Sequence, residues 1–269
     1  MKAEFMRDNP VKKRLAAGDT SVGTMAMEFS SSGMPRLAAT AGADFIIYDM
    51  EHTAWSIQTV RGLLAANAGI NIVPIVRIPT AEYHFAARVM DAGAMGLMVP
   101  MVNDVAQAQQ IVDACKYPPE GKRGAGFSIA HDDYVPDDVA PIMKQANEQG
   151  LVILQIESPT GVANARQIAA IDGVDVLWIG HFDLTNFMGI PGQFDHPDYH
   201  AAIDTVLDAC EREGKVAGQL GGTVEECVKL LERGFRAVAY GLDLDLYRRS
   251  LSNGLEDIHR HRAINAHSV

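Results

Sequence analysis

The sequence predicts an α/β protein folded as a closed (β/α)8 TIM barrel. Short β-branched apolar runs alternate with amphipathic stretches of helical length from one end of the chain to the other, the pattern of a parallel sheet covered by helices. Eight such units can be counted in an uninterrupted chain of 269 residues, close to the roughly 250 that a barrel of this kind needs. No Gly-x-Gly-x-x-Gly follows the first strand, which argues against an open dinucleotide-binding sheet. With no linker or low-complexity tract in view, residues 1–269 are expected to form one domain.

In chain order the expected strands are 20–27, 44–49, 72–78, 96–100, 151–157, 174–179, 215–219 and 237–240. Several are apolar on both faces, as strands with helices over them should be. Between them, 56–66, 81–92, 103–115, 161–171, 198–213 and 223–233 carry Ala, Leu, Ile or Val at helical spacing. Thr223 three residues before Glu226 reads as a capping box, and Gly234 as the stop of that helix. The one long irregular stretch, 117–136, holds Gly121, Gly124, Gly126 and the polar run His131-Asp132-Asp133-Tyr134, and a loop of that length is expected to be functional.

Composition narrows the function. With 48% hydrophobic and 21% charged residues the chain can build a sizeable core. A net charge of -11 repels nucleic acid and anionic membranes, so an anionic ligand must be captured by a locally basic pocket, which draws attention to Arg77 and Arg123. Cys115, Cys210 and Cys227 have unrelated spacings and read as reduced core residues. With no apolar run of about 18 residues and no leader-like start, a cytoplasmic protein without a membrane span is expected.

In a barrel the chemistry sits at the C-terminal ends of the strands. Here those ends read Tyr48-Asp49-Met50-Glu51-His52, Arg77-Ile78-Pro79, Gln155-Ile156-Glu157 and Gly180-His181-Phe182-Asp183. Strands five and six are neighbours about 4.8 Å apart, so Glu157 and Asp183 can offer two carboxylates to one hard cation, Mg²⁺ or Mn²⁺ and less readily Co²⁺. Gln155 shares a strand face with Glu157. Read singly, each has a plainer explanation: a helix cap for a carboxylate, a rim salt bridge for Arg77, a packed ring for His52. Asp91 could simply end a helix or could orient an imidazole.

These motifs resemble the HpcH/HpaI aldolases, class II pyruvate-dependent aldolases. The resemblance runs over about residues 20–245 through Gly42-Ala-Asp-Phe45, Asp49-Met-Glu-His52, Val76-Arg-Ile-Pro79, Met90-Asp-Ala-Gly-Ala94, Met98-Val-Pro-Met101, Tyr117-Pro-Pro-Glu-Gly121, Arg123-Gly-Ala-Gly126, Gln155-Ile-Glu157, Gly173-Val-Asp175 and Asp183-Leu184 before Met188-Gly189. It implies that Glu157 and Asp183 bind a divalent metal, that Arg77 contacts the keto oxygen, and that His52 and Asp91 form an acid–base dyad. Asp49 and Gln155 would assist at metal-bound water and bound pyruvate. It further implies a homo-hexamer, a trimer of dimers with the last helix exchanged between subunits.

The chain departs from the family pattern twice. Gly180-His181-Phe182-Asp183 stands where a Gly-Pro-x-Asp is usual, and Ala130-His131-Asp132-Asp133 replaces a basic segment. Gly180, His181 and Phe182 are expected at the substrate, with the aldehyde or a neighbouring subunit near both departures. The expected reaction joins or separates a 2-oxo acid such as pyruvate and an aldehyde. A Schiff-base route lacks a lysine at the right rim, Lys215 being at the start of its strand. The alternatives are a lyase acting on a CoA thioester, a related 2-oxo acid decarboxylase or hydratase, and a barrel that binds without catalysis.

Overall fold

The computed structural model describes residues 7–266. In chain order its elements are α1 (Pro10–Ala16), β1 (Ser21–Ala26), α2 (Met34–Thr40), β2 (Phe45–Asp49), α3 (Ile57–Ala66), β3 (Val73–Arg77), α4 (Tyr83–Asp91), β4 (Gly96–Val99) and α5 (Val105–Cys115). There follow α6 (Val139–Gln149), β5 (Leu151–Ile156), α7 (Pro159–Ala163), α8 (Ala165–Ala169), β6 (Val176–Ile179), α9 (His181–Phe187), α10 (Pro197–Arg212), β7 (Val216–Gly221), α11 (Val224–Arg233), β8 (Ala237–Leu242) and α12 (Asp243–Ala266). The eight strands are parallel and close in sequence order into a barrel.

All eight expected strands are present, trimmed at one or both ends, except that β7 and β8 each run two residues further. The helix expected over 161–171 is broken into α7 and α8 at Asn164, whose Nδ2 donates to the Asn103 carbonyl at 2.7 Å. Helices α1, α2, α6, α9 and α12 were not anticipated from periodicity.

Alternation along the strands sorts side chains into two cores. Outward residues such as Ile46, Val76, Leu97, Leu154 and Leu177 pack under the helices. Inward residues Phe45, Ile47, Val73, Ile75, Met98, Ile153, Val176 and Trp178 fill the barrel, joined by Val11 and Leu15 of α1. Helix α1 thus plugs the N-terminal mouth. It is fastened there by Asn9, fully buried, whose Nδ2 donates to the carbonyls of Met95 and Gln149, and by Lys12 Nζ on the Gly150 carbonyl. With that end closed and apolar, solvent and ligand meet the barrel interior at the C-terminal rim.

The segment 117–136 is irregular apart from one 3-10 turn, Ala130–Asp132. It lies at the plugged end and away from the C-terminal rim, since it begins just after α5 descends to that end and Tyr117 is hydrogen-bonded to Asn147 near the start of β5. Asp132, fully buried, holds it by accepting from the Ser128 and Ile129 amides at 2.6 and 2.7 Å. Its polar run is therefore no part of the strand-end constellation in its own chain.

Candidate active site

At the C-terminal rim the inward positions turn from apolar to polar. Asp49 and Arg77 are the last residues of β2 and β3 and stand opposite each other in register, while Gln155 and Glu157 lie on and just beyond β5. Every one of the four is buried, with exposures of 0%, 8%, 2% and 2%. Asp49 Oδ1 accepts from Arg77 Nε at 2.7 Å, and Glu51 Oε2 lies 3.1 Å from Arg77 Nη1. The guanidinium is thus held along two edges by carboxylates.

Glu157 is held just as closely. Its Oε1 accepts from Gln155 Nε2 at 3.0 Å, and its Oε2 from the Met101 amide at 2.8 Å. Met101 delivers that N–H from a left-handed backbone, φ 56°, a conformation that a non-glycine residue keeps only when its surroundings enforce it. Gly180 leaves the space: a Cβ there would sit 1.9 Å from Glu157 Oε1. Burial pushes the Glu157 carboxyl up to about 7, with the neighbouring charges of Glu51 and Asp183 adding to the rise against the Met101 amide and Arg77. Asp183 sits in the first turn of α9, near enough to act on both Glu157 and Glu51.

Asp49, Glu51, Glu157 and Asp183 therefore gather around a single arginine. A set of carboxylates short of positive charge, two of them on adjacent strand ends, fits a hard divalent cation ligated by Glu157 and Asp183. Among the described residues no group of three or more His, Cys, Asp or Glu side chains is arranged to hold a metal.

His52 follows the same turn, its side chain 51% exposed, with Nε2 3.6 Å from Glu51 Oε2. Asp91 is elsewhere. It ends α4, five residues before β4 begins, and so lies at the plugged end, where its Oδ1 accepts from the buried Arg123 at 2.5 Å. Within one chain His52 and Asp91, expected as a dyad, therefore stand at opposite ends of the barrel, because helices return to the rim opposite the strand ends. Arg123, stacked over Tyr117 at 4.6 Å, belongs to that other end as well.

His181 and Phe182 do not join Arg77. They line a groove of about 590 Å³ with Phe194, Tyr199 and Glu226, which none of Arg77, Gln155, Glu157 or Asp183 borders. The His181 ring packs against Phe182 and Phe194 with centroids 4.6 and 5.2 Å away, and burial pulls its pKa down to about 4, so it is neutral at physiological pH. Two participants escaped the sequence reading, Glu51 and Met101. Glu51 had a signal, standing two residues past Asp49 on the same motif; the backbone of Met101 had none.

Lys116 is 2% exposed and burial lowers its pKa to about 8, features of a Schiff-base lysine. Its ammonium, however, donates to the carbonyls of Asn147 and Gly150 at the plugged end, where it is structural. Lys215 lies just before β7 at that same end.

Fold and site together define a barrel that gathers a buried arginine and several carboxylates at its open C-terminal rim. The sequence profile of the HpcH/HpaI aldolase/citrate lyase family matches residues 27–250, and the chain belongs to that family and is a carbon–carbon lyase. It is 35% identical over 243 residues to a hydroxypyruvate/pyruvate aldolase of Pseudomonas aeruginosa, covering 90% of each chain. With a 2-keto-3-deoxy-L-rhamnonate aldolase of Salmonella gallinarum it shares 34% identity over 254 residues and 92% of each chain. The crystal structure of an HpcH/HpaI aldolase from Desulfitobacterium hafniense DCB-2 superposes with a TM-score of 0.88 at 31% identity, over 92% of this chain and 96% of that one.

Proposed function

We propose that the protein is a divalent-metal-dependent aldolase that interconverts a 4-hydroxy-2-oxo acid with pyruvate, or a close 2-oxo acid, and an aldehyde. The observation that carries this reading is the buried Arg77, clamped by Asp49 and Glu51 beside a Glu157 fixed through both oxygens. When bound by Glu157 and Asp183, a divalent cation supplies Lewis-acid polarisation of the 2-oxo acid carbonyl.

The chain's own residues do the rest. Arg77 Nη2, which has no partner among the described residues, is free to donate to the keto oxygen, and a donor aimed at developing negative charge lowers the barrier by about 3–4 kcal/mol. Gln155 Oε1, buried without a partner, is free to accept from substrate or water. In cleavage, His52 takes the proton of the 4-hydroxyl group, the C3–C4 bond breaks, the aldehyde leaves, and the charge falls on the oxygen that faces Arg77. In synthesis the same imidazole returns the proton to the new alkoxide.

Asp91 can serve His52 only from a second copy of the chain, which agrees with the assembly that the family resemblance implies. Along α12, Leu244, Tyr247, Leu251, Leu255 and Ile258 form an exposed apolar stripe at three- and four-residue spacing. That stripe supports a homo-hexamer in which α12 is exchanged between subunits. No helix among the described residues is long and apolar enough to cross a membrane.

The test is exchange of pyruvate methyl protons in D₂O, followed by NMR with and without Mg²⁺, Mn²⁺ or Co²⁺. Exchange is expected to need metal, to stop with EDTA, and to vanish in Glu157→Ala and Asp183→Ala while surviving in Cys115→Ser. Absence of exchange with every metal would reject pyruvate and point to CoA thioesters or other 2-oxo acids; equal loss in all three variants would show that the carboxylates act on stability alone.

A further inference from the structure

The turn that leaves β2 is built around Asp49. Its Oδ1 accepts from the Glu51 amide at 2.9 Å and its Oδ2 from the His52 amide at 3.1 Å, which fixes the directions in which those two side chains depart. Because Oδ1 also takes Arg77 Nε, Asp49 is fully committed to the turn and to one edge of the guanidinium. Glu51 is different. Its side chain is 15% exposed, and Oε2 is buried with Arg77 Nη1 at 3.1 Å and His52 Nε2 at 3.6 Å, contacts of ion-pair rather than hydrogen-bond geometry.

We propose that Glu51 is a positioning residue that joins Arg77 and His52 into one unit, fixing the plane of the guanidinium so that Nη2 stays available to substrate and holding the imidazole by Nε2. The proposal rests on the aldolase reading given above and adds to it the carboxylate that faces His52 within a single chain. The charged groups around Glu51 are Asp49 on β2, Arg77 on β3, His52 beside it, Glu157 after β5 and Asp183 on α9. Burial opposes its ionisation most, and the carboxylates of Asp49 and Asp183 oppose it further. A neutral amide would fill the same space without that cost, so the charge is retained for the guanidinium and the imidazole it faces.

Glu51→Gln keeps the shape and removes the charge. In the full-length, metal-free protein, the His52 titration followed by NMR is expected to move down by about 0.5–1 pH unit, since an anion at this distance favours the imidazolium. With metal, kcat for pyruvate methyl exchange is expected to fall on the order of 10-fold or more, through a less constrained Arg77, with the thermal midpoint nearly unchanged. An unmoved His52 titration overturns the proposal, whether activity is kept or is lost along with stability. A shifted titration with unchanged kcat overturns it too, because Arg77 would then need no help. Wild-type protein that exchanges no methyl proton overturns the aldolase reading instead, and the titration, read without turnover, keeps the two failures apart.

Discussion

Gly180 shows how much of the site rests on single atoms. Any side chain there would occupy the place of Glu157 Oε1, with the Cβ 1.9 Å away, and would push the carboxylate off the Gln155 amide and the Met101 N–H. Gly180→Ala is therefore expected to lower kcat/KM on the order of 100-fold while far-UV circular dichroism and the unfolding midpoint stay close to wild type. Kinetics like the wild type would mean that the position of Glu157 is not critical. At this scale the sequence was readable where polarity met a strand end: Arg77, Gln155 and Glu157 are buried together at the rim. It was unreadable where the decisive property is a torsion, as at Met101, or where a motif residue is carried to the far end of a helix, as at Asp91.

Whole elements were legible where an amphipathic period coincided with a cap. Thr223 caps α11 through the Glu226 amide at 3.1 Å, and Gly234 closes it at φ 107°, as the pattern predicts. The Glu226 carboxylate, however, reaches back to Gly222 N, one residue before the cap, so the box closes a residue early. Helices α1 and α2 span seven residues each, too few turns for periodicity to show, although proline in the first turn of each was a usable start signal. At the junction of β8 and α12, Asp243, 4% exposed, accepts from the amides of Met27, Glu28, Phe29 and Leu244 and so ties the last helix to the end of β1. Loss of those charge-assisted bonds in Asp243→Ala should destabilise the chain by about 2–3 kcal/mol in urea unfolding. A change within error would mean that water replaces the carboxylate without cost.

For the molecule as a whole, two asymmetries matter. The barrel is apolar and plugged by α1 at one end, polar and open at the other, so substrate has one entrance. Helix α12 leaves the body with an apolar stripe facing outward, Tyr247 at 60% and Ile258 at 63% exposure. Such a stripe calls for a partner surface. Light scattering after gel filtration is expected to give a hexamer for the wild type and a smaller species for the double variant Leu251→Glu, Leu255→Glu. A wild-type monomer would remove the exchanged helix and with it any role for Asp91 at a neighbouring His52.

By itself the sequence determined the barrel, because strand and helix periods are local properties repeated eight times, and it determined which strand ends carry charge, because polarity in an apolar run is visible residue by residue. Only the tertiary structure decided what those residues touch. It put Asp91 and the 117–136 segment at the plugged end, turned His181 and Phe182 into a separate groove, and set Glu51 between Arg77 and His52. Those placements depend on chain direction, side-chain orientation and backbone torsion in three dimensions, which no spacing along a linear sequence encodes.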